Sequence, residues 1–236
     1  KRYSARLNTI ANITKFISNT TNIALTYQDR TGSSLTGGGG LVYSSVKGSP
    51  YRPPNMDLND YLIANGMPPG GTYGRDPLVD LIYPDIKNLG YYASLNSSLS
   101  FKLTKDLTLK IAGGMTYNVS ESDVFYPSNT SYGAFIGGQA RKNNSISLGL
   151  INENTLNYNK TLPSGDRIDA VAGYSLQKEI RSFTNTSTQK FAIEALGYNN
   201  MRMGSQFFAP RSGKTVSGIE SYFGRVQYAL RNRYIF

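Results

Sequence analysis

The sequence predicts an all-β protein built from antiparallel strands, and two observations support this prediction. Gly and Tyr are abundant, at 24 and 18 of 236 residues, and Ser, Thr and Asn recur throughout, whereas Trp and His are absent. This composition disfavours long helices and favours strands and turns. The second observation is a repeated alternation of apolar and polar residues, which is typical of strands that have one apolar face.

The clearest pair of predicted strands covers 90–103 and 107–118. Apolar side chains dominate every second position from Tyr91 to Leu103, and the same alternation continues from Leu107 to Tyr117. Only a few residues around Lys105 separate the two segments. Together they predict a hairpin with a very short turn.

The same arrangement recurs more weakly in three further hairpins. Their predicted strands cover 1–13 with 20–30, 145–160 with 167–182, and 216–230 with an unfinished strand at 233–236. Asn152 and Asn154 fall on the apolar phase of their strand, and a β-bulge would explain this deviation. The chain therefore contains seven predicted strands and the beginning of an eighth.

Long segments at about 30–89, 119–144 and 183–215 separate the hairpins, so short and long connections alternate strictly. The first long segment contains GGGG, SPYRPP and MPPGG, which indicate an irregular loop and not a second domain. We therefore treat 1–236 as part of one domain. A loop as long as 30–89 is unusual in a compact domain and suggests a functional surface.

Short turns on one side, long loops on the other and alternating strands are the pattern of an outer-membrane β-barrel. No window approaches the 18 apolar residues of a membrane helix, so strands are the expected route into a bilayer. A soluble β-sandwich, such as a carbohydrate-binding module, or a lipocalin-like barrel would alternate as well. The barrel is favoured by five tyrosines on the apolar phase, which we expect to form an aromatic girdle at the long-loop ends of the strands: Tyr3, Tyr27, Tyr91, Tyr117 and Tyr222.

Several chemistries are excluded by composition. Without Cys or His, this chain can form no disulfide, thiolate zinc site, cysteine nucleophile or Ser-His-Asp triad. The net charge of +10 comes from scattered Lys and Arg, so we expect no nucleic-acid partner. The acidic DLND segment at 57–60 lacks the ligand spacing of a calcium loop. We therefore expect no metal, no cofactor and no enzymatic activity.

The final segment, SYFGRVQYALRNRYIF at 221–236, resembles a hairpin motif of SusC/RagA-type TonB-dependent transporters, the outer-membrane importers of Bacteroidota. Two further points agree with this resemblance: the YRPP segment at 51–54, and the Asp76-Pro77 step, where the family often has Asn-Pro. The residues that carry the match in the hairpin are Ser221, Tyr222, Phe223, Arg225, Tyr228, Arg233 and Tyr234.

The resemblance implies a larger protein, with a plug domain and a 22-stranded barrel. The seven to eight strands found here would be an internal portion of that barrel, with short periplasmic turns and long extracellular loops in a bacterial outer membrane. A complete barrel of eight strands with an adhesion or structural role is the alternative. It is disfavoured because the last strand has only four residues, where about ten are needed to cross a bilayer.

The resemblance also implies partners and a cargo. A SusD-like surface lipoprotein would act as a lid, TonB would act through the plug region, which these 236 residues lack, and glycans or peptides would be imported. Aromatic rings stack on sugars, and Arg or Asp side chains bind hydroxyls and amides. Our candidates for ligand or lid contact therefore lie in the first long loop: Tyr51, Arg52, Tyr73, Arg75 and Asp76.

Overall fold

The computed structural model describes residues 1–32, 56, 60, 63–64, 77–130, 132–230 and 234–235. These residues form a short helix α1, Pro77–Ile82, a 3-10 helix η1, Gly197–Met203, and one nine-stranded sheet. Within this part of the chain, no helix has the length and apolar character needed to cross a membrane. The strands are β1 Arg2–Asn12, β2 Ile17–Asp29, β3 Asp85–Lys102, β4 Leu107–Tyr126, β5 Gln139–Thr161, β6 Arg167–Phe191, β7 Gly204–Phe207, β8 Arg211–Leu230 and β9 Tyr234–Ile235.

The strands follow one another across the sheet in the order β1-β2-β3-β4-β5-β6-β8-β9, with the short β7 paired to β6. All pairs are antiparallel. The described residues form a single sheet that does not close on itself, so they form neither a two-sheet sandwich nor a complete eight-stranded barrel. The predicted all-β barrel segment is confirmed.

Several strands extend beyond their predicted ends into segments that the sequence predicts as loops. The connection between β4 and β5 is 127–138 instead of 119–144, β6 continues to Phe191, and β3 already begins at Asp85. The predicted loop bounds are therefore wrong. The physical reason is that strand residues outside a bilayer have no lipid face, so the alternation ends while the backbone pairing continues.

The predicted bulge at Asn152 and Asn154 is also wrong. These residues pair with Leu176 and Tyr174 in an unbroken register. Asn154 Nδ2 donates to Asn152 Oδ1 at 2.7 Å, and Asn152 Nδ2 donates to the backbone oxygen of Ala112 at 3.1 Å. The two amides thus partly satisfy each other on an apolar face, which lowers the cost of placing them there.

The register sorts side chains onto two chemically different faces. Leu95 pairs with Met115, and Met115 pairs with Leu150, so apolar residues gather on what we call the outer face. Asn96 belongs to the opposite phase, which is rich in Ser, Thr and Asn and which we call the inner face. The outer-face side chain of Ile111 is 41% exposed. Exposed apolar side chains of this kind on one side of the sheet suit contact with lipid.

Tyrosines form ring contacts across the outer face. The ring centroids are 6.2 Å apart for Tyr3 and Tyr27, 5.2 Å for Tyr27 and Tyr91, and 5.0 Å for Tyr174 and Tyr222. Tyr3 and Tyr27 lie within two residues of the long-loop ends of β1 and β2, as predicted, whereas the strands continue well beyond the other predicted girdle residues: Tyr91, Tyr117 and Tyr222. For those three the predicted position at the strand end is wrong, because the alternation marks the edge of the apolar zone and not the end of the strand.

The position of Tyr222 follows the stagger of the strands. Following the paired residues from strand to strand leads from Tyr222 on β8 to Ala11 on β1, so Tyr222 lies nearer the short turns than Tyr3 does. The short turns are displaced in the same direction from one hairpin to the next. Leu107 at the start of β4 pairs with Tyr158, and β5 continues beyond that residue to Thr161. Tilted barrel strands require such a stagger. The tyrosines are therefore compatible with one level in a membrane.

The two faces predict different responses to a charge at neighbouring positions of β4. Ile111→Arg places a guanidinium on the outer face, between Tyr117 and the short turn, and we expect a loss of about 2–4 kcal/mol in the free energy of unfolding. Ala112→Arg, on the inner face, should cost much less. Denaturant titration of the full-length protein in lipid vesicles measures both. Equal losses would contradict the assignment of the outer face to lipid.

Candidate functional site

The structure leaves the predicted loop contacts untested, because Tyr51, Arg52, Tyr73, Arg75 and Asp76 lie outside the described residues. Arg233 of the hairpin motif lies outside them as well. The rest of the motif is described, namely Ser221, Tyr222, Phe223, Arg225, Tyr228 and Tyr234.

The motif residues attach β8 to β6. The Phe223 ring lies over Gly173, where a Cβ atom would come within 2.2 Å of the ring. Tyr228 donates its hydroxyl hydrogen to Asp166 Oδ2 at 2.8 Å, in the turn between β5 and β6. Ser164 donates to the same oxygen at 2.7 Å. These contacts join neighbouring strands, so they give the motif a structural role.

A cluster of two tyrosines and an arginine lies at the long-loop end of the inner face. We call Tyr126, Tyr132 and Arg141 the mouth cluster. The two tyrosine rings are 5.0 Å apart and tilted by 59°. Arg141 Nη2 donates to the Tyr132 hydroxyl at 2.6 Å, and the guanidinium carbon lies 5.5 Å from the centroid of the same ring. The cluster presents planar rings and a positive charge on one surface.

The connection between β4 and β5 holds Tyr132 in place. Thr130 is 1% exposed, and its hydroxyl donates to the backbone oxygen of Pro127 at 2.7 Å. The Thr130 hydroxyl also accepts from the backbone N–H of Gly133 at 3.0 Å. Gly133 is required there, because a Cβ atom would lie 1.9 Å from the Pro127 oxygen. These bonds tie the turn together on both sides of Tyr132.

The outer face behind the mouth cluster is covered by protein. Phe125, Ala140, Phe191 and Tyr198 form a buried apolar cluster, to which η1 contributes Tyr198. The rings of Phe125 and Phe191 meet edge to face at 5.1 Å. This packing fixes the ends of β4 and β5 from the outer side, so the residues on the inner face of these ends keep a constant position.

Three cationic side chains of the described residues are paired with carboxylates, and Arg141 is among those that are not. Lys142 bonds to Asp123 at 3.0 Å, Arg167 to Asp169 at 2.7 Å, and Arg181 to Glu179 at 2.7 Å. Arg141 has no salt bridge within the described ranges. Its remaining donors and its full charge are therefore available to a ligand, as far as this part of the chain is concerned.

The electrostatic surroundings keep the Tyr126 phenol neutral. Burial raises its pKa above the ordinary value, and the nearby charge of Asp80 adds to the rise. The positive charge of Arg141 acts in the opposite direction and is outweighed.

Beside Tyr126, the Gln139 side chain is buried, at 2% exposed. Its Nε2 donates to Ser187 Oγ at 3.3 Å, while its Oε1 has no hydrogen-bond partner among the described residues.

Nearer the short turns, the sheet carries a recess of about 300 Å³, with both polar and apolar lining residues, among them Asn96, Thr116 and Glu179. Two glycines make room for these side chains. A Cβ on Gly114 would come 2.4 Å from Asn96 Oδ1, and one on Gly149 would come 2.6 Å from Thr116 Oγ1. Acidic residues do not gather here as metal ligands, since no group of three in the described segments could hold an ion.

The mouth cluster was not identified from the sequence. Tyr126, Tyr132 and Arg141 lie within 119–144, which the alternation pattern predicts as a loop without a motif. The contact between the connection and β5 depends on how 127–138 folds back, and no sequence spacing reports it. The only available signal is the presence of aromatic and basic residues in one long segment.

The contact of Phe223 with Gly173 predicts a steric effect. Gly173→Ala should displace the ring and lower the free energy of unfolding by about 1–3 kcal/mol. Gly224→Ala is the matched control, because its Cβ would meet only the Val171 oxygen at 3.6 Å. Chemical denaturation of the full-length protein measures the losses. Combining Gly173→Ala with Phe223→Leu should recover much of the loss, and no recovery would refute the proposed contact.

The Thr130 bonds predict a local effect in the connection. Thr130→Val leaves the backbone N–H of Gly133 without its acceptor, at a cost of about 1–3 kcal/mol. Thr130→Ser keeps the hydroxyl and is the control. Hydrogen exchange followed by mass spectrometry should show faster exchange across 130–138 in the valine variant only. Unchanged exchange in that variant would mean that the hydroxyl does not hold the connection.

The chain is similar in sequence to proteins of Formosa agariphila. It is 26% identical over 245 residues to TonB-dependent receptor P3, covering 100% of this chain and 22% of the relative. It is 25% identical to TonB-dependent receptor P39, covering 99% of this chain and 22% of that relative. The chain thus spans about a fifth of the length of these curated relatives. No protein-family model matches.

Solved structures show the same fold. The RagAB peptide importer in the open-open state superposes with a TM-score of 0.75 and 18% identity, covering 98% of this chain and 26% of that one. A second structure, of the RagAB peptide transporter, gives a TM-score of 0.76 with the same identity and coverage. Sequence and fold together confirm that the chain resembles SusC/RagA-type TonB-dependent transporters and lies in a bacterial outer membrane.

Proposed function

We propose that this chain forms part of the barrel wall of a TonB-dependent importer. The single observation that carries the proposal is similarity to TonB-dependent receptors along the whole chain. The chemistry of the sheet supports it, because an apolar outer face suits lipid and a polar inner face suits an aqueous or plug-filled lumen. These strands would serve as a rigid wall for transport.

The proposed role is non-enzymatic. The relatives compared above are receptors and importers, which favours transport over catalysis. The mouth cluster suits binding, since it joins two tyrosines to a guanidinium that donates hydrogen bonds and stacks on a ring. Arg cannot act as a general base, because it stays protonated.

The proposed cargo is a glycan or a peptide, taken up with a SusD-like lipoprotein as lid. The family resemblance implies both classes of cargo, and one neighbour in fold is named a peptide importer. TonB would act through a plug region outside these 236 residues. We further propose that Tyr51, Arg52, Tyr73, Arg75 and Asp76 contact the ligand or the lid, since they lie in the same long segment between β2 and β3.

Deletion of residues 37–71 in the full-length transporter tests this function. We expect loss of most cargo uptake or of copurification with the lipoprotein, while the amount of folded barrel in the outer membrane stays unchanged. The measurements are uptake of labelled oligosaccharides and oligopeptides, pull-down of the lipoprotein, and heat-modifiable migration of the barrel. Cells without TonB should take up none of the cargo through this protein.

The matched control alters the short turn between β3 and β4, by Lys105→Ala with Asp106→Ala. This turn lies at the opposite end of the sheet, so uptake should remain near that of the wild type. Uptake that persists in cells without TonB would contradict the proposed function. Loss of the folded barrel after the deletion would show instead that the loop is structural.

A further inference from the structure

We propose that the mouth cluster, Tyr126, Tyr132 and Arg141, is a subsite for a carboxylate group of the cargo. The inference rests on the proposed role as an importer and assigns a chemical class to what binds at this end of the inner face. It concerns residues that are separate from the loop positions predicted from the sequence.

The charge of Arg141 is the first observation. Among the described residues, Arg141 has no carboxylate within salt-bridge distance, as is also true of other inner-face cations such as Arg6 and Arg225. One guanidinium nitrogen, Nη2, is engaged with the Tyr132 hydroxyl at 2.6 Å. The guanidinium has five N–H donors, so enough remain for a carboxylate. Charge-assisted bonds of this kind are among the strongest that a protein forms with an anion.

The fixed position of the guanidinium is the second observation. Arg141 lies on β5, and its contact with the Tyr132 ring limits the directions that the fork can take. Tyr132 is held in turn by the Thr130 bonds, and packing of η1 covers the opposite side of the strands. A group that is ordered before binding loses less entropy when a ligand arrives.

The tyrosine rings are the third observation. Tyr132 is 42% exposed, whereas Tyr126 is half-buried beside it. The Tyr132 ring is therefore accessible to a ligand, and the Tyr126 ring packs against its side. An exposed ring next to an arginine suits a ligand in which a carboxylate adjoins a sugar ring or a peptide plane. Among the described residues, Asp80 of α1 is the acidic residue whose charge acts on Tyr126, and no salt bridge joins it to Arg141.

The carboxylate can belong to either class of cargo. A uronate in an acidic oligosaccharide and the carboxyl terminus of a peptide present the same planar anion, and Arg recognises both by the same fork geometry. The chemistry of the subsite therefore predicts a preference for acidic over neutral cargo. Which class carries the anion is decided by the probes below.

The experiment uses the full-length transporter and two matched pairs of probes. One pair is a trigalacturonate and its methyl ester, and the other is a pentapeptide without acidic side chains and its carboxyl-terminal amide. Calorimetric titration measures the dissociation constants for the wild type, for Arg141→Gln and for Arg181→Gln. Arg181 is the control, because it lies on the same face but is already paired with Glu179.

We expect the wild type to prefer the acid form of one pair, and Arg141→Gln to weaken binding of that form about 10- to 100-fold. Binding of the ester or amide should be unchanged, and Arg181→Gln should behave like the wild type. The pair that shows the preference identifies the source of the carboxylate. Heat-modifiable migration confirms that each variant is folded.

The outcomes separate this inference from the proposed function. If the wild type binds both members of a pair equally, or if Arg141→Gln weakens them equally, the carboxylate subsite is refuted while cargo binding stands. If Arg181→Gln weakens the acid form as strongly, the effect belongs to the general charge of the lumen and the assignment to Arg141 is refuted. If the wild type binds none of the four probes, both the subsite and the proposed cargo classes are rejected.

Discussion

The antiparallel hydrogen-bond ladder is the interaction on which the rest of this structure depends. Pairing of β5 with β6 runs without interruption from Gln139 and Gln189 to Thr161 and Arg167. In a bilayer each unpaired backbone group costs several kcal/mol, so a spanning sheet cannot tolerate gaps. Because side chains alternate with a period of two, a ladder without a slip also keeps each face constant over its whole length. The lipid-facing and lumen-facing surfaces both follow from this single constraint.

The same ladder serves two environments along its length. Within the apolar zone, the outer face carries exposed residues such as Leu95 and Leu150, which suit lipid. Nearer the long loops, that face is covered by η1, where Tyr198 packs against Phe125 and donates its hydroxyl hydrogen to Asp85 at 3.3 Å. Protein thus replaces lipid as the apolar partner of the sheet. This replacement keeps the strands regular beyond the membrane and rigidifies the wall that bears the mouth cluster.

Two arginines of the inner face are paired with acidic residues, and Arg141 is held in a different way. Arg181 and Arg167 are bonded to acidic residues two positions away on the same strand, so their charges are largely balanced locally. Such exposed pairs contribute little to stability but reduce the field that they project into the lumen. Arg141 is oriented by a tyrosine instead, and no carboxylate of the described residues forms a salt bridge with it. Orientation by a neutral partner is what makes this arginine suited to an anion.

The sequence by itself determined the strand phases, the short turns, the antiparallel order and the tyrosine-bearing apolar face. Each of these depends on neighbours along the chain or on a period of two, which a sequence displays directly. Only the tertiary structure decided the full strand lengths, the pairing of Asn152 with Asn154 and the mouth cluster. Outside the bilayer no apolar face is required, so the alternation stops before the strand does and no longer shows where the strand ends. The approach of Tyr132 to Arg141 depends on how 127–138 folds back over β5, where hydrogen bonds of Thr130 and close packing at Gly133 decide the path.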